Sequence, residues 1–170
     1  MIARYAVVPT ESWIAFEGRS TLHRVHGKAA NLQGYVETDW SDGVPSLQPP
    51  PRMHVEFPVE QLRSGNALQD REMWKMIDSK RFPAIAADLV ELRPGAQPGR
   101  FSASGRVTLA GRSRAYEGEL MLQQANDAIS IEGELALDIR DFGLQPPSLL
   151  LMKVEPAIAL HLHVVAAPQR

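Results

Sequence analysis

The chain has 170 residues, 44% of them hydrophobic, and its 18 Lys and Arg against 20 Asp and Glu leave a formal net charge of −2. That length suits one domain, here residues 1–170, with a substantial core, and the near-neutral balance is not the electrostatic footprint of a nucleic-acid binder. No cysteine is present, which excludes disulfides, thiolate zinc sites and a cysteine nucleophile.

The N-terminal stretch Met1–Thr10 contains Arg4, Tyr5 and Pro9 and no long apolar run, so it does not read as a signal peptide. No segment approaches the ~20 apolar residues of a membrane span. The chain as given is expected to be cytoplasmic, and periplasmic if a signal peptide has been removed.

From Ser12 to Gly18 the chain alternates, with Ile14 and Phe16 on one face and Trp13, Ala15 and Glu17 on the other. That period of two predicts a strand. Arg19–Arg24 reads as a turn. Val25–Val36 predicts a second strand with a change of phase at Ala30–Asn31, and its glycines mark bends or close backbone approaches. Asp42-Gly43 and three consecutive prolines mark a loop. Val55 and Phe57 alternate with His54 and Glu56 in the next strand.

A single helix is predicted from about Leu68 to Ser79. Ser64 or Asn66 can cap it, Asp70 and Glu72 suit its N-terminal dipole, and Pro83 expels Phe82 from helical conformation. Met73, Met76 and Ile77 form an apolar stripe. The stripe either packs on a sheet surface or lines the opening of an apolar cavity, for which pliable methionines are suited.

Ile85–Leu92, Phe101–Leu109 and Arg114–Gln123 predict three more strands, the last with Leu120 and Leu122 on its apolar face. Leu135, Leu137 and Ile139 end a run of strict alternation from Ile129, and Ala157–Val165 closes the chain. About eight short strands around one inserted helix define an all-β protein, an antiparallel barrel or sandwich. An eight-stranded closed barrel has room for one slender ligand.

The ordered set Ser12-x-Ile14-x-Phe16, Val25-x-Gly27 with Gly34, Gly65 followed by Asp70, Ile77-Asp78, Phe82-Pro83-x-Ile85, Gly105 with Leu109 and Gly111-x-Ser113, and Asp141-Phe142-Gly143 resembles the YceI-like family of lipocalin-like barrels. The likeness covers nearly the whole chain. It implies an eight-stranded antiparallel lipocalin-like barrel that binds a polyisoprenoid or similar lipid. Ala29, Ala87 and Leu89 depart from the family pattern, and Arg140-Asp141 replaces its Ser-Asp pair. Small residues at the wall would widen the lumen locally.

His161-x-His163 has the spacing of metal ligands, with His23, His26 and His54 as candidate third ligands. The parity of Leu160 and Leu162 sets both imidazoles outward, so an exposed pair or an oligomer contact is the expectation, and no metal or cofactor is assigned. Neither a nucleophile elbow nor a phosphate-binding glycine loop is present. Asp70, Arg71, Arg140 and Asp141 either hold a polar head group at one opening or are solvated helix charges (Asp70, Arg71) and a loop cap (Asp141). Trp13, on the outer face beside the last strand, is a candidate anchor for a homodimer.

The expectation is non-enzymatic binding or carriage of a long-chain lipophilic molecule, walled by Ile14, Phe16, Val55, Phe57, Met73, Met76, Ile77, Leu120, Leu122, Leu135, Leu137 and Ile139. An enzyme acting on a lipophilic substrate at the barrel mouth is the alternative, and a filled barrel with a scaffolding role is the third. Each buried methylene gains about 0.8 kcal/mol, while ordering the ligand costs on the order of 4 kcal/mol or more, which favours long chains.

Overall fold

The computed structural model describes residues 1–20, 24–41, 43–145, 148–149, 152–153 and 155–169. His23, in the expected turn at 19–24, Asp42, and residues 146–147 of the expected loop lie outside the described residues. Strands β1 (Ala3–Val7), β2 (Trp13–Arg19), β3 (Arg24–Ala30) and β4 (Gln33–Thr38) open the chain. A two-strand ribbon, β5 (Trp40–Ser41) and β6 (Val44–Pro45), leads to β7 (Arg52–Pro58). The helix α1 (Ala67–Ile77) precedes β8 (Ala84–Pro94), β9 (Arg100–Leu109), β10 (Arg112–Ala125) and β11 (Ala128–Asp138). A second short ribbon, β12 (Ser148–Leu149) and β13 (Met152–Lys153), precedes the closing strand β14 (Ala157–Pro168).

The main sheet runs β1-β4-β7-β8-β9-β10-β11-β14-β2-β3, all neighbours antiparallel, and β1 also pairs β14. This closes a barrel of eight staves, because β1 and β2 are two halves of one stave and β3 and β4 two halves of the next. The first stave breaks at a 3-10 turn over Pro9–Glu11, where Pro9 cannot donate to the ladder,. Ser12, 2% exposed, bridges the break: its hydroxyl accepts from the Val165 N–H at 3.0 Å and faces the Val165 carbonyl at 3.3 Å. The second stave breaks at Asn31, whose φ of 60° is left-handed, at the expected change of phase. The sequence reading missed β1, whose Tyr5 and Val7 point into the core.

The helix begins one residue earlier and ends two earlier than expected. Asn66 caps it by accepting from the Gln69 N–H at 3.1 Å. It ends where Asp78 adopts the left-handed conformation (φ 63°), and Phe82 and Pro83 then lead into β8. Two ties hold α1 across one end of the barrel. Trp74 Nε1 donates to the Leu62 carbonyl at 2.9 Å. Asp70 is buried and accepts from the Ser64 N–H at 2.8 Å and hydroxyl at 2.7 Å. The preceding segment joins β3 through Lys28 and Arg63, whose backbones exchange two hydrogen bonds at 2.9 and 3.0 Å.

At one end the core fills the barrel. Tyr5, Val7, Val36, Leu92, Phe101, Leu122, Ile129, Ile131, Val164 and Ala166 are buried against one another. Towards the α1 end, inward-facing side chains such as Ile14, Phe16, Leu120, Leu135 and Leu160 keep partial exposure. They border open space.

Candidate functional site

That open space is a cavity of about 280 Å³ with an almost wholly apolar wall, close to the lower edge of the ~300–1,000 Å³ typical of small-molecule sites. Strand register stacks its wall in levels two residues apart. Nearest the packed end, Leu120, Gly133, Leu162 and Ile14 face one another across β10, β11, β14 and β2. The next level is Leu135, Leu160 and Phe16, whose ring lies over Gly27, and the third is Leu137, Ile158, Gly18 and Val25, with Ile139 beyond Leu137.

Glycine at 27 is required by packing. A Cβ there would stand 2.5 Å from the Phe16 ring and 2.5 Å from the Arg63 carbonyl oxygen. The Phe16 ring occupies the space a side chain would need.

Val55 and Phe57 complete the wall on β7, and Met73, Met76 and Ile77 close it from α1 together with Leu62. The methionine stripe therefore lines the cavity. Of the twelve expected wall residues, eleven border the cavity; Leu122 does not. Leu122 is opposite Ile131, which is opposite Val164, and all three are buried in the packed end. Leu122 has the right parity but lies one level too deep.

Ala29 is fully buried and does not border the cavity either, so this departure from the family pattern widens nothing; Ala87 and Leu89 do border it.

Polar groups reach the cavity from α1, where Gln69 and Glu72 share the face of Met73 and Met76, and from Tyr116 on β10. The Tyr116 hydroxyl donates to the Asp141 carboxylate, accepts from the Asp138 N–H at 3.3 Å, and its ring stacks on Phe142 with centroids 6.0 Å apart. Burial, then the Asp141 hydrogen bond, push its pKa up to about 12.

Of the four charges considered for a head group, Arg71, Arg140 and Asp141 are exposed and Asp70 is buried. Asp70 is neither solvated nor turned to a ligand, because Ser64 consumes it. Asp138, not Asp141, caps the 3-10 turn Ile139–Phe142, accepting from the Arg140 N–H at 2.9 Å while pairing with the Arg140 guanidinium at 2.7 Å. Tyr116 was missed because its partner lies 25 residues on, and nothing local announces the pair.

His161 and His163 face outward on β14, and the Glu132 carboxylate on β11 bridges them, meeting His161 Nε2 at 2.7 Å and also His163 Nδ1. Trp13 stacks on both imidazoles at 5.5 and 5.3 Å, with Lys28 Nζ 4.3 Å from its ring centre. His54 lies on β7 against Asp88 (2.6 Å) and Glu56 (3.3 Å), and His26 is exposed on β3. No group of three or more His, Asp or Glu able to hold a metal is found among the described residues, and no helix among them is long and apolar enough to cross a membrane.

A closed antiparallel barrel of eight staves, capped by one helix over an apolar cavity, defines a lipocalin-like fold. The sequence matches the YceI-like domain over residues 5–166, and the chain belongs to that family. Solved structures share the fold at low identity. Burkholderia cenocepacia BcnA superposes with a TM-score of 0.79 at 13% identity, over 95% of this chain and 99% of that one. A polyisoprenoid-binding domain from Saccharophagus degradans, implicated in plant cell wall breakdown, gives 0.73 at 11% identity, over 97% and 98%. The Campylobacter jejuni YCEI protein gives 0.68 at 13% identity, over 86% and 85%. No curated protein matches the sequence.

Proposed function

We propose that this protein binds and carries an amphiphilic molecule with a hydrocarbon or isoprenoid tail, the tail in the barrel and the polar end at the α1 mouth, without catalysing a reaction. The observation that carries this reading is the layered apolar wall, bordered by the methionine face of α1 at one end and closed by packed side chains at the other. The family membership and the polyisoprenoid-binding neighbour support the same ligand class.

The test is mass spectrometry of an organic extract of the purified protein, with titration of a fluorescent long-chain lipid into delipidated protein. A co-purifying lipophile, or saturable binding that it displaces, is expected. An extract without lipid and no saturable binding would overturn the reading.

We further propose that the outer face of β14 around Trp13 pairs two copies of the chain. Trp13→Ala should convert a sedimenting dimer to monomer, and a wild-type protein that sediments as a monomer at all concentrations rejects this.

A further inference from the structure

The cavity has a floor, and the floor sets the length of tail it accepts. On β14 the wall includes Ile158, Leu160 and Leu162 but stops before Val164. It stops at the matching level on β10, between Leu120 and Leu122, and on β11, between Gly133 and Ile131. On β9 it stops between Ala103 and Phe101. Val164, Leu122, Ile131 and Phe101 are each at most 7% exposed and lie outside the cavity wall. They pack into a plug beneath the lumen.

We infer that this barrel is selective for tail length, taking about a dozen chain bonds, or three isoprene units, and excluding the rest of any longer tail from its wall. The inference rests on the carrier reading and specifies its ligand.

The depth of the lumen gives the length. From Val164 to Ile158 is six residues, or about 20 Å along a strand at ~3.3 Å per residue. Strands in such barrels tilt by ~35–45°, which leaves about 15 Å of axial depth. An extended chain advances ~3.3–3.6 Å for three bonds in the polypeptide backbone, so that depth takes about a dozen bonds.

The consequence is a break in the affinity–length relation. Each methylene that reaches the wall should tighten binding about fourfold. Methylenes beyond the floor limit remain at the mouth and add little. The experiment measures, by calorimetry, the affinity of delipidated protein for straight-chain fatty alcohols from about eight to about eighteen carbons.

For the wild type, affinity should rise to about a dozen carbons and then level. Leu122→Ala removes part of the plug and should move the break two or three carbons longer. Ala103→Leu fills the level above the floor and should move it shorter by a similar amount. Circular dichroism establishes that each variant is folded, and if Leu122→Ala does not fold, Ala103→Leu decides alone. An affinity that climbs steadily to eighteen carbons overturns the inference while leaving the carrier reading intact. So does a break that stays in place in the folded variants. Absence of binding at every length overturns the carrier reading, and the inference with it.

Discussion

Ser12 and Val165 are 153 residues apart in sequence and joined where the first stave breaks. The serine hydroxyl takes the Val165 N–H at 3.0 Å, replacing a ladder bond that the 3-10 turn at Pro9 removes. Ser12→Ala leaves that N–H buried and unpaired, a loss of about 1–3 kcal/mol. At this chain length each kilocalorie lowers the melting temperature by roughly 2–4 °C. Thermal unfolding followed by circular dichroism should show a drop of several degrees. An unchanged melting temperature would mean that water or a relaxed backbone satisfies Val165 instead. The first-strand serine of the family pattern thereby acquires a physical role.

Phe16 and Gly27 form a second such pair. Gly27→Ala sets a Cβ against both the Phe16 ring and the Arg63 carbonyl oxygen. The ring must swing into the cavity, or the Lys28–Arg63 contact that ties the α1 segment to β3 must open. Either response costs about 1–3 kcal/mol as overpacking, and the first also shrinks the lumen. The double mutant Phe16→Leu/Gly27→Ala should recover part of the loss, because the two sites are in contact and couple. Strict additivity in the double-mutant cycle would disprove the coupling.

Much of this architecture was legible in the chain. Period-two runs such as Ile129–Ile139 lie on a half-buried face, and the turn and cap residues around α1 punctuate it clearly. What was not legible is depth. Leu120 and Leu122 have the same parity and chemistry, yet one borders the cavity and the other the plug, a difference set by what Phe101, Ile131 and Val164 do beneath them. Asp70 reads as a surface charge until the Ser64 turn folds back over it. Tyr116 and Asp141 meet only after β10, β11 and the following 3-10 turn are in place. The five residues of β1 carry too little alternation to stand out from a frayed terminus.

The outer face of β11 and β14 makes the protein's acid stability depend on Glu132. Burial on its own raises the Glu132 pKa, but hydrogen bonds from His163 and His161 outweigh it and hold the carboxyl below its usual 4.5. A depressed carboxylate pKa means the stabilisation is present above the unfolded value and is lost as pH falls through the folded one. Glu134 near His161, and Lys28 over Trp13, are the other charges at this cluster. Because the carboxyl is about one-third exposed (31%), screening limits the effect to about 1 kcal/mol or less. Urea unfolding between about pH 3 and pH 6 should show wild-type stability declining on the acid side of 4.5 more steeply than that of Glu132→Gln. Parallel curves for the two proteins would show that the bridge contributes nothing.

Leu137 tests whether the tail lies in the barrel at all. It is 8% exposed, belongs to the third wall level opposite Ile158 on β14, and borders the cavity. Leu137→Arg directs a guanidinium towards an apolar wall, where Tyr116 is tied to Asp141 and Asp138 is paired with Arg140, and where Glu72 on α1 is the carboxylate that borders the same cavity. An unpaired charge there costs several kcal/mol, which the protein can reduce by drawing water into the cavity or by extending the arginine towards Glu72 and the α1 end. Water in the cavity removes the dry surface on which each methylene gains about 0.8 kcal/mol, and an extended arginine obstructs entry. Both outcomes should weaken binding of a twelve-carbon alcohol by at least about a hundredfold, equivalent to ~3 kcal/mol, in protein whose circular dichroism still reports the barrel. Leu137→Met, which conserves volume and polarity, should bind within a few-fold of the parent. A folded Leu137→Arg protein that binds as tightly as the parent would place the ligand outside the barrel.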